Sequence, residues 1–233
     1  MPEYRFVYLA GVVGAFALWS IIFALRKDLR KEMVLMSSIV GILGVTQAVY
    51  AGEYWSPSYA LPLGNLPFGL EDFLLAGFLY GGIGSVLYQS VTNSKYVCPV
   101  SPHGGSKLFI WFLALMAACL LFLIGEYFLT INSIYTSIIS LLGSAAVLAF
   151  FNPLLRKAML INGLLFGSLA VIGIGGLNFL FPGYVENTWN VSALSGFFVF
   201  GVPIEEFLFH FSAGIAFAVA YETLYSCRIL KSP

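Results

Sequence analysis

An all-α integral membrane protein is the fold class this sequence predicts, with seven transmembrane helices forming two parallel three-helix repeats joined by a connector helix. Three observations predict it. Of the 233 residues, 60% are hydrophobic and only 9% charged, whereas a soluble domain carries roughly 25% charged residues. The apolar residues fall in about seven runs of the ~20 residues needed to cross a bilayer. Two separate stretches of the chain also repeat each other's landmarks.

The spans are expected at 5–25, 33–51, 70–91, 108–129, 132–151, 158–181 and 203–226. The first apolar run begins at Tyr4 without a basic leader or a small-residue cleavage site, so it reads as a retained helix and not a signal peptide. Charge sorts the loops. Arg26, Lys27, Arg30 and Lys31 follow the first span; Lys95 and Lys107 flank the loop after the third. Arg156 and Lys157 follow the fifth, and Arg228 and Lys231 the seventh, leaving Arg5 alone on the other side. By the positive-inside rule the amino terminus is outside and the carboxyl terminus cytoplasmic. The outer segments carry Glu3, Glu53 and Glu186.

The repeat is read from matched landmarks. Leu29-Arg30-Lys31-Glu32-Met33 opens the second span and Leu155-Arg156-Lys157-Ala158-Met159 the sixth. Trp55 stands 16 residues before Glu71, and Trp189 stands 16 before Glu205. Residues 1–92 and 132–233 are therefore taken as the two three-helix units, with 93–131 holding the cytoplasmic loop and the connector. An odd connector leaves both units in the same orientation. Between the second and third spans, and between the sixth and seventh, lie segments 52–69 and 182–202. These are rich in Trp, Tyr, Pro and amides and read as interfacial loops of the outer leaflet.

Several functions are excluded. The net charge is zero with no basic block, so no nucleic-acid partner is expected. Cys98, Cys119 and Cys227 are scattered, with no metal-ligand spacing, and read as small apolar fillers; no metal is expected. The recurrent glycines follow no dinucleotide pattern, so they read as close helix packing, and no cofactor is expected.

The chemistry-bearing stretch is Gly201-Val202-Pro203-Ile204-Glu205-Glu206-Phe207-Leu208-Phe209-His210, with a weaker copy at Gly69-Leu70-Glu71-Asp72-Phe73. Carboxyls inside a hydrocarbon-length segment are costly and mark function by default. An early-turn carboxyl also caps a helix and complements its dipole, but adjacent carboxyls diverge by ~100° and only one can cap. A proton-holding acid beside an ionised base suits acid–base chemistry on an uncharged apolar substrate. Both doublets lie at the outer ends of their helices and are expected to face one shared cavity. Glu126, near the outer end of the fourth span, is a candidate fifth carboxyl. His210 lies one turn beyond Glu206 and can bond it.

The motif Pro203-x-Glu205-Glu206-Phe207-Leu208-Phe209 opening a membrane helix resembles the integral-membrane lycopene β-cyclases of the microbial heterodimeric or fused-tandem type. So do the Trp in the preceding outer loop, the basic turn after the first helix and the duplicated unit. In the first copy Gly69 replaces the proline and Asp72 the second glutamate. The resemblance implies cyclisation of the ψ-ends of lycopene to β-ionone rings, giving γ-carotene and then β-carotene, with no net redox change. It implies Glu205 or Glu206 as acid and Glu71 or Asp72 as base or electrostatic stabiliser. Trp55, Trp189, Phe207 and Phe209 would stabilise the cation. The expected partners are lycopene, related carotenoids and the bilayer, with a homo-oligomer or contacts with other carotenoid enzymes left open. Two alternatives stand beside this reading: a proton-coupled small-solute transporter of three-plus-one-plus-three helices, and a cyclase of another prenyl or carotenoid substrate. A retinal receptor is set aside, because the seventh span has no lysine.

Overall fold

The computed structural model describes residues 4–97 and 104–230. Glu3, Cys98 and Lys231 lie outside the described residues. Seven helices are long and apolar enough to cross a bilayer: Val7–Leu25, Lys27–Tyr50, Leu70–Thr92, Lys107–Phe128, Ser133–Phe151, Pro153–Leu180 and Ile204–Tyr225. The chain is thus a multi-pass membrane protein. Sheet is limited, among the described residues, to two short antiparallel pairs. One joins β1 (Lys95–Val97) to β4 (Arg228–Leu230), and the other joins β2 (Phe198–Val199) to β3 (Val202–Pro203).

The second and sixth spans begin earlier than hydropathy suggests, because their basic first turns are already helical. Charge does not stop these helices; it anchors them. Arg30 Nε donates to the Phe23 carbonyl at 2.7 Å and Arg156 Nε to the Ala149 carbonyl at 2.9 Å. Each cation thereby satisfies a free carbonyl at the end of the preceding helix, where the dipole is negative.

The third span packs between the first and second, and the seventh between the fifth and sixth. Backbones approach closely where side chains are missing. A Cβ at Gly44 would lie 2.6 Å from the Phe73 nitrogen, and one at Gly81 would overlap the Met36 carbonyl. Gly163, Gly167 and Gly214 serve the sixth–seventh contact in the same way. The packing role expected of glycine fails for Gly14, Gly173 and Gly176, whose added Cβ atoms would meet nothing. The filler reading also fails for Cys227, which is disulfide-bonded; Cys119 is an exposed free thiol.

The halves are joined at two levels. Near mid-bundle, fully buried Asn162 of the sixth span accepts from the Tyr88 amide at 2.7 Å. It donates to the carbonyls of Gly84 (2.7 Å) and Gly214 (2.8 Å), so one side chain ties three helices. In the third span these bonds fall on the α-helical turn that directly follows the π-wound segment Ala76–Ile83. At the end of the bundle where the third and seventh spans begin, Trp55 and Trp189 form an isolated antiparallel bridge, with Ser56 N–H to the Thr188 carbonyl at 2.8 Å and Asn190 N–H to the Tyr54 carbonyl at 2.9 Å.

Two substitutions test this packing by thermal unfolding in detergent. Gly81→Val forces the second and third spans apart and is expected to cost ~1–3 kcal/mol. Asn162→Leu leaves an amide and two carbonyls without their partner and is expected to cost at least as much, since one buried unpaired group costs ~1–3 kcal/mol. Unchanged melting for either variant would remove that contact from the account.

Candidate active site

Each acidic doublet opens its helix directly after an irregular loop, and the loop folds back to meet it. Glu71 is fully buried, and its Oε1 accepts from the amides of Ala60 and Leu61, both at 2.7 Å. Glu205 is 1% exposed, and its Oε1 accepts from the Ser195 amide and the Tyr135 hydroxyl, both at 2.7 Å. Leu61 stands ten residues before Glu71, and Ser195 ten before Glu205. In both glutamates Oε2 is buried without a hydrogen-bond partner.

The second members differ, for a reason visible in the residue before each helix. Gly69 has an N–H, and the short Asp72 reaches back to it through Oδ2 at 2.8 Å while Oδ1 accepts from Tyr8 at 2.7 Å. Asp72 is therefore the third helical residue of a capping arrangement, accepting from the amide of the N-cap residue Gly69. Pro203 has no N–H to offer. The longer Glu206 turns instead to the Trp189 indole, whose Nε1 donates to Oε1 at 2.7 Å. Gly69 is also required by space: a Cβ there would lie 2.5 Å from the Tyr59 ring and 2.8 Å from Glu71 Oε2. Burial, and then the Asp72 carboxylate, push the Tyr59 phenol well above its usual range, so it remains a hydrogen-bond donor.

The doublets are linked through aromatic rings. Tyr8, bonded to Asp72, sets its ring edge-on to Trp55 at 5.0 Å; Trp55 lies 5.8 Å from Trp189; Trp189 bonds Glu206. Among the described residues no hydrogen bond joins a carboxyl of one doublet to a carboxyl of the other. The expected shared open cavity is thus occupied, along this line, by a wall of Tyr8, Trp55 and Trp189. Two apolar recesses, of about 450 and 310 Å³, lie elsewhere. The first is on the fourth span around Phe109 and Phe112, the second between Ile172, Gly175 and Phe200, and no carboxyl lines either.

His210 adopts a different bond from the one expected. Its Nδ1 meets the Glu206 backbone carbonyl at 2.8 Å and stands 3.6 Å from the Glu206 carboxyl. The carbonyl can only accept, so Nδ1 carries a hydrogen, and Nε2 faces the Tyr80 hydroxyl at 2.8 Å. This pair ties the third span to the seventh beneath the doublets. Phe209 packs against Tyr80, His210 and Tyr50 on the same side. Phe207 does not join this group: it covers Gly167 and stacks on Phe211 at the sixth–seventh contact. Glu126 lies near Glu53 and Tyr50 and bonds neither doublet.

Tyr8, Tyr135 and Tyr80, and the loop amides of Ala60, Leu61 and Ser195, escape the sequence reading. Tyrosine is common here and the amides carry no sequence signature. A second buried acidic pair also escapes it. Glu32 and Glu222 are 5% and 1% exposed at the other end of the bundle and share the Gln89 amide, whose nitrogen lies 3.2 Å from Glu32 Oε2 and 2.8 Å from Glu222 Oε1. Neither has an acidic neighbour in sequence to draw attention. Among the described residues no cluster of three or more His, Cys, Asp or Glu could hold a metal ion.

Compared with known proteins, residues 132–224 match the family model described as lycopene cyclase. The match covers less than half of the chain. It includes Tyr135, Trp189, Glu205, Glu206 and His210 and stops short of the first doublet. No curated protein and no solved structure matches the chain.

Tyr8→Phe isolates the bond to Asp72, leaving Oδ1 buried without its donor. It is expected to lower stability by ~1–3 kcal/mol, read as an earlier melting transition. A variant that melts with the wild type would show that the phenol contributes nothing to holding Asp72.

Proposed function

We propose that this chain, which belongs to the lycopene cyclase family, closes β-ionone rings on the ψ-ends of lycopene, giving γ-carotene and then β-carotene. Family membership makes it an enzyme of carotenoid cyclisation. The ring type, the non-redox course and the residues are our reading. The observation that carries it is the burial of four carboxyls in two doublets within an apolar bundle, joined through Trp55 and Trp189.

The reaction is an isomerisation. An acid of the second doublet protonates the terminal alkene; the neighbouring double bond attacks the cation and closes the ring; a base of the first doublet removes a ring proton. A positive charge develops on carbon between these events. The faces of Trp55 and Trp189 and of Phe209 supply a negative π surface of the kind that stabilises such a charge. An apolar interior suits the polyene and keeps water from trapping the cation.

The two three-helix units are proposed as structural repeats. Matched bonds support this: Arg30 and Arg156 on equivalent carbonyls, Leu61 and Ser195 on equivalent glutamates, and a reciprocal bridge at the tryptophans. The basic loops favour an outside amino terminus and a cytoplasmic carboxyl terminus, which puts both doublets toward the outer leaflet.

Expression in lycopene-accumulating cells, followed by pigment chromatography, tests the reading. β-Carotene with some γ-carotene is expected. Unchanged lycopene beside well-inserted protein would refute it, and ε-rings would keep the cyclase but correct the ring type.

A further inference from the structure

Among the described residues the two acidic doublets share no hydrogen bond, so their relative placement depends on what joins the third span to the seventh. Among those residues two side-chain hydrogen bonds do so directly. Gln89 reaches Glu222 at the far end of the bundle, and Tyr80 meets His210 one turn beyond Glu206. We propose that Tyr80 and His210 are positioning residues for ring closure, their hydrogen bond setting the first doublet against the second. This rests on the cyclase reading above and adds two residues that need touch no reacting atom.

His210 is held at both ring nitrogens. It is 4% exposed, and its Nδ1 donates to the Glu206 backbone carbonyl at 2.8 Å. That carbonyl belongs to the second doublet, so the imidazole lies against the turn that carries it. A neutral imidazole has one N–H, here on Nδ1, so Nε2 accepts from the Tyr80 hydroxyl at 2.8 Å. The two rings also stack with centroids 5.0 Å apart, and Phe166 and Phe209 close around them. Those phenyl rings offer neither group another hydrogen-bond partner.

Tyr80 stands about two turns beyond Asp72, inside the π-wound segment Ala76–Ile83. A π turn holds more residues than an α turn, so it resets the angle between the helix before it and the helix after it. On the second span this segment rests backbone to backbone. A Cβ at Gly77 would lie 3.0 Å from the Ser37 carbonyl, and one at Gly81 would overlap the Met36 carbonyl. Glycines thus press the segment onto the second span, while Tyr80 ties it to the seventh. The helix that carries Glu71 and Asp72 is thereby fixed relative to the helix that carries Glu205 and Glu206. Catalysis is sensitive to such placement: a shift of about 1 Å caused far from the chemistry can cost ~100-fold in rate.

Purified protein in lipid discs, supplied with lycopene, tests the assignment at equal amounts of folded protein. Tyr80→Phe keeps the ring and removes the hydroxyl. It is expected to lower kcat about tenfold with KM within about twofold, the size of one lost hydrogen bond. His210→Phe is expected to match it, and the double variant to be no slower than the slower single one, because both changes delete the same bond. His210→Gln can donate to the Glu206 carbonyl and accept from Tyr80, and is expected to restore kcat to within about threefold of the wild type. Should His210→Phe fail to insert, Tyr80→Phe and His210→Gln carry the test. A merely structural role would show as an earlier melting transition with kcat per folded molecule retained, and would overturn the assignment. Losses that multiply in the double variant, or a raised KM with kcat unchanged, would also overturn it while leaving the cyclase standing. A wild-type protein that forms no ring would sink both.

Discussion

Carboxyl groups do not remain in an apolar bundle unless something meets them there, and what meets these is supplied mostly by the loops. Ala60, Leu61 and Ser195 offer backbone amides; Tyr8 and Tyr135 offer hydroxyls from neighbouring helices; Trp189 offers its indole. The loops must fold back over the helix starts for this to happen, and the bridge between Trp55 and Trp189 fixes both loops at once. Much of that end of the molecule follows from that need. The π turns of the third span, the Tyr80–His210 pair and the triple bond of Asn162 then hold the two helices that carry the doublets at a set separation.

The small departures between the two acidic motifs have one physical origin. A glycine before the third span leaves an amide that an aspartate is short enough to cap. A proline before the seventh leaves none, so a longer glutamate reaches outward to an indole. The first helix start is thereby self-capped, and the second is tied across to the bridge. The inequality suits a reaction in which one doublet gives a proton and the other takes one.

The helical architecture was largely legible from hydropathy, because length and apolarity alone decide whether a helix can span a bilayer. Its edges were misjudged at the second and sixth spans, where Arg30 and Arg156 are helical residues serving as anchors. The acidic doublets and both tryptophans were legible because they are rare residue types in an apolar chain. Their hydrogen-bond donors were not, since a loop amide or one tyrosine among 13 has no signature until the fold brings it near. Phe207 was misplaced for a related reason: helical phase near a proline shifts too easily to say which neighbour a ring will cover, and it covers Gly167. The buried Glu32–Gln89–Glu222 group was invisible because its members come from three distant helices.

The central claim is that protons held on buried carboxyls of this chain close the ring. A single turnover of the purified enzyme pre-equilibrated in D2O, with the product weighed by mass spectrometry, tests it most directly. One deuterium gained per ring is the predicted result, since an exchanged carboxyl delivers the label and a substrate proton leaves. Cyclised product with the isotopic mass of the starting lycopene would contradict it.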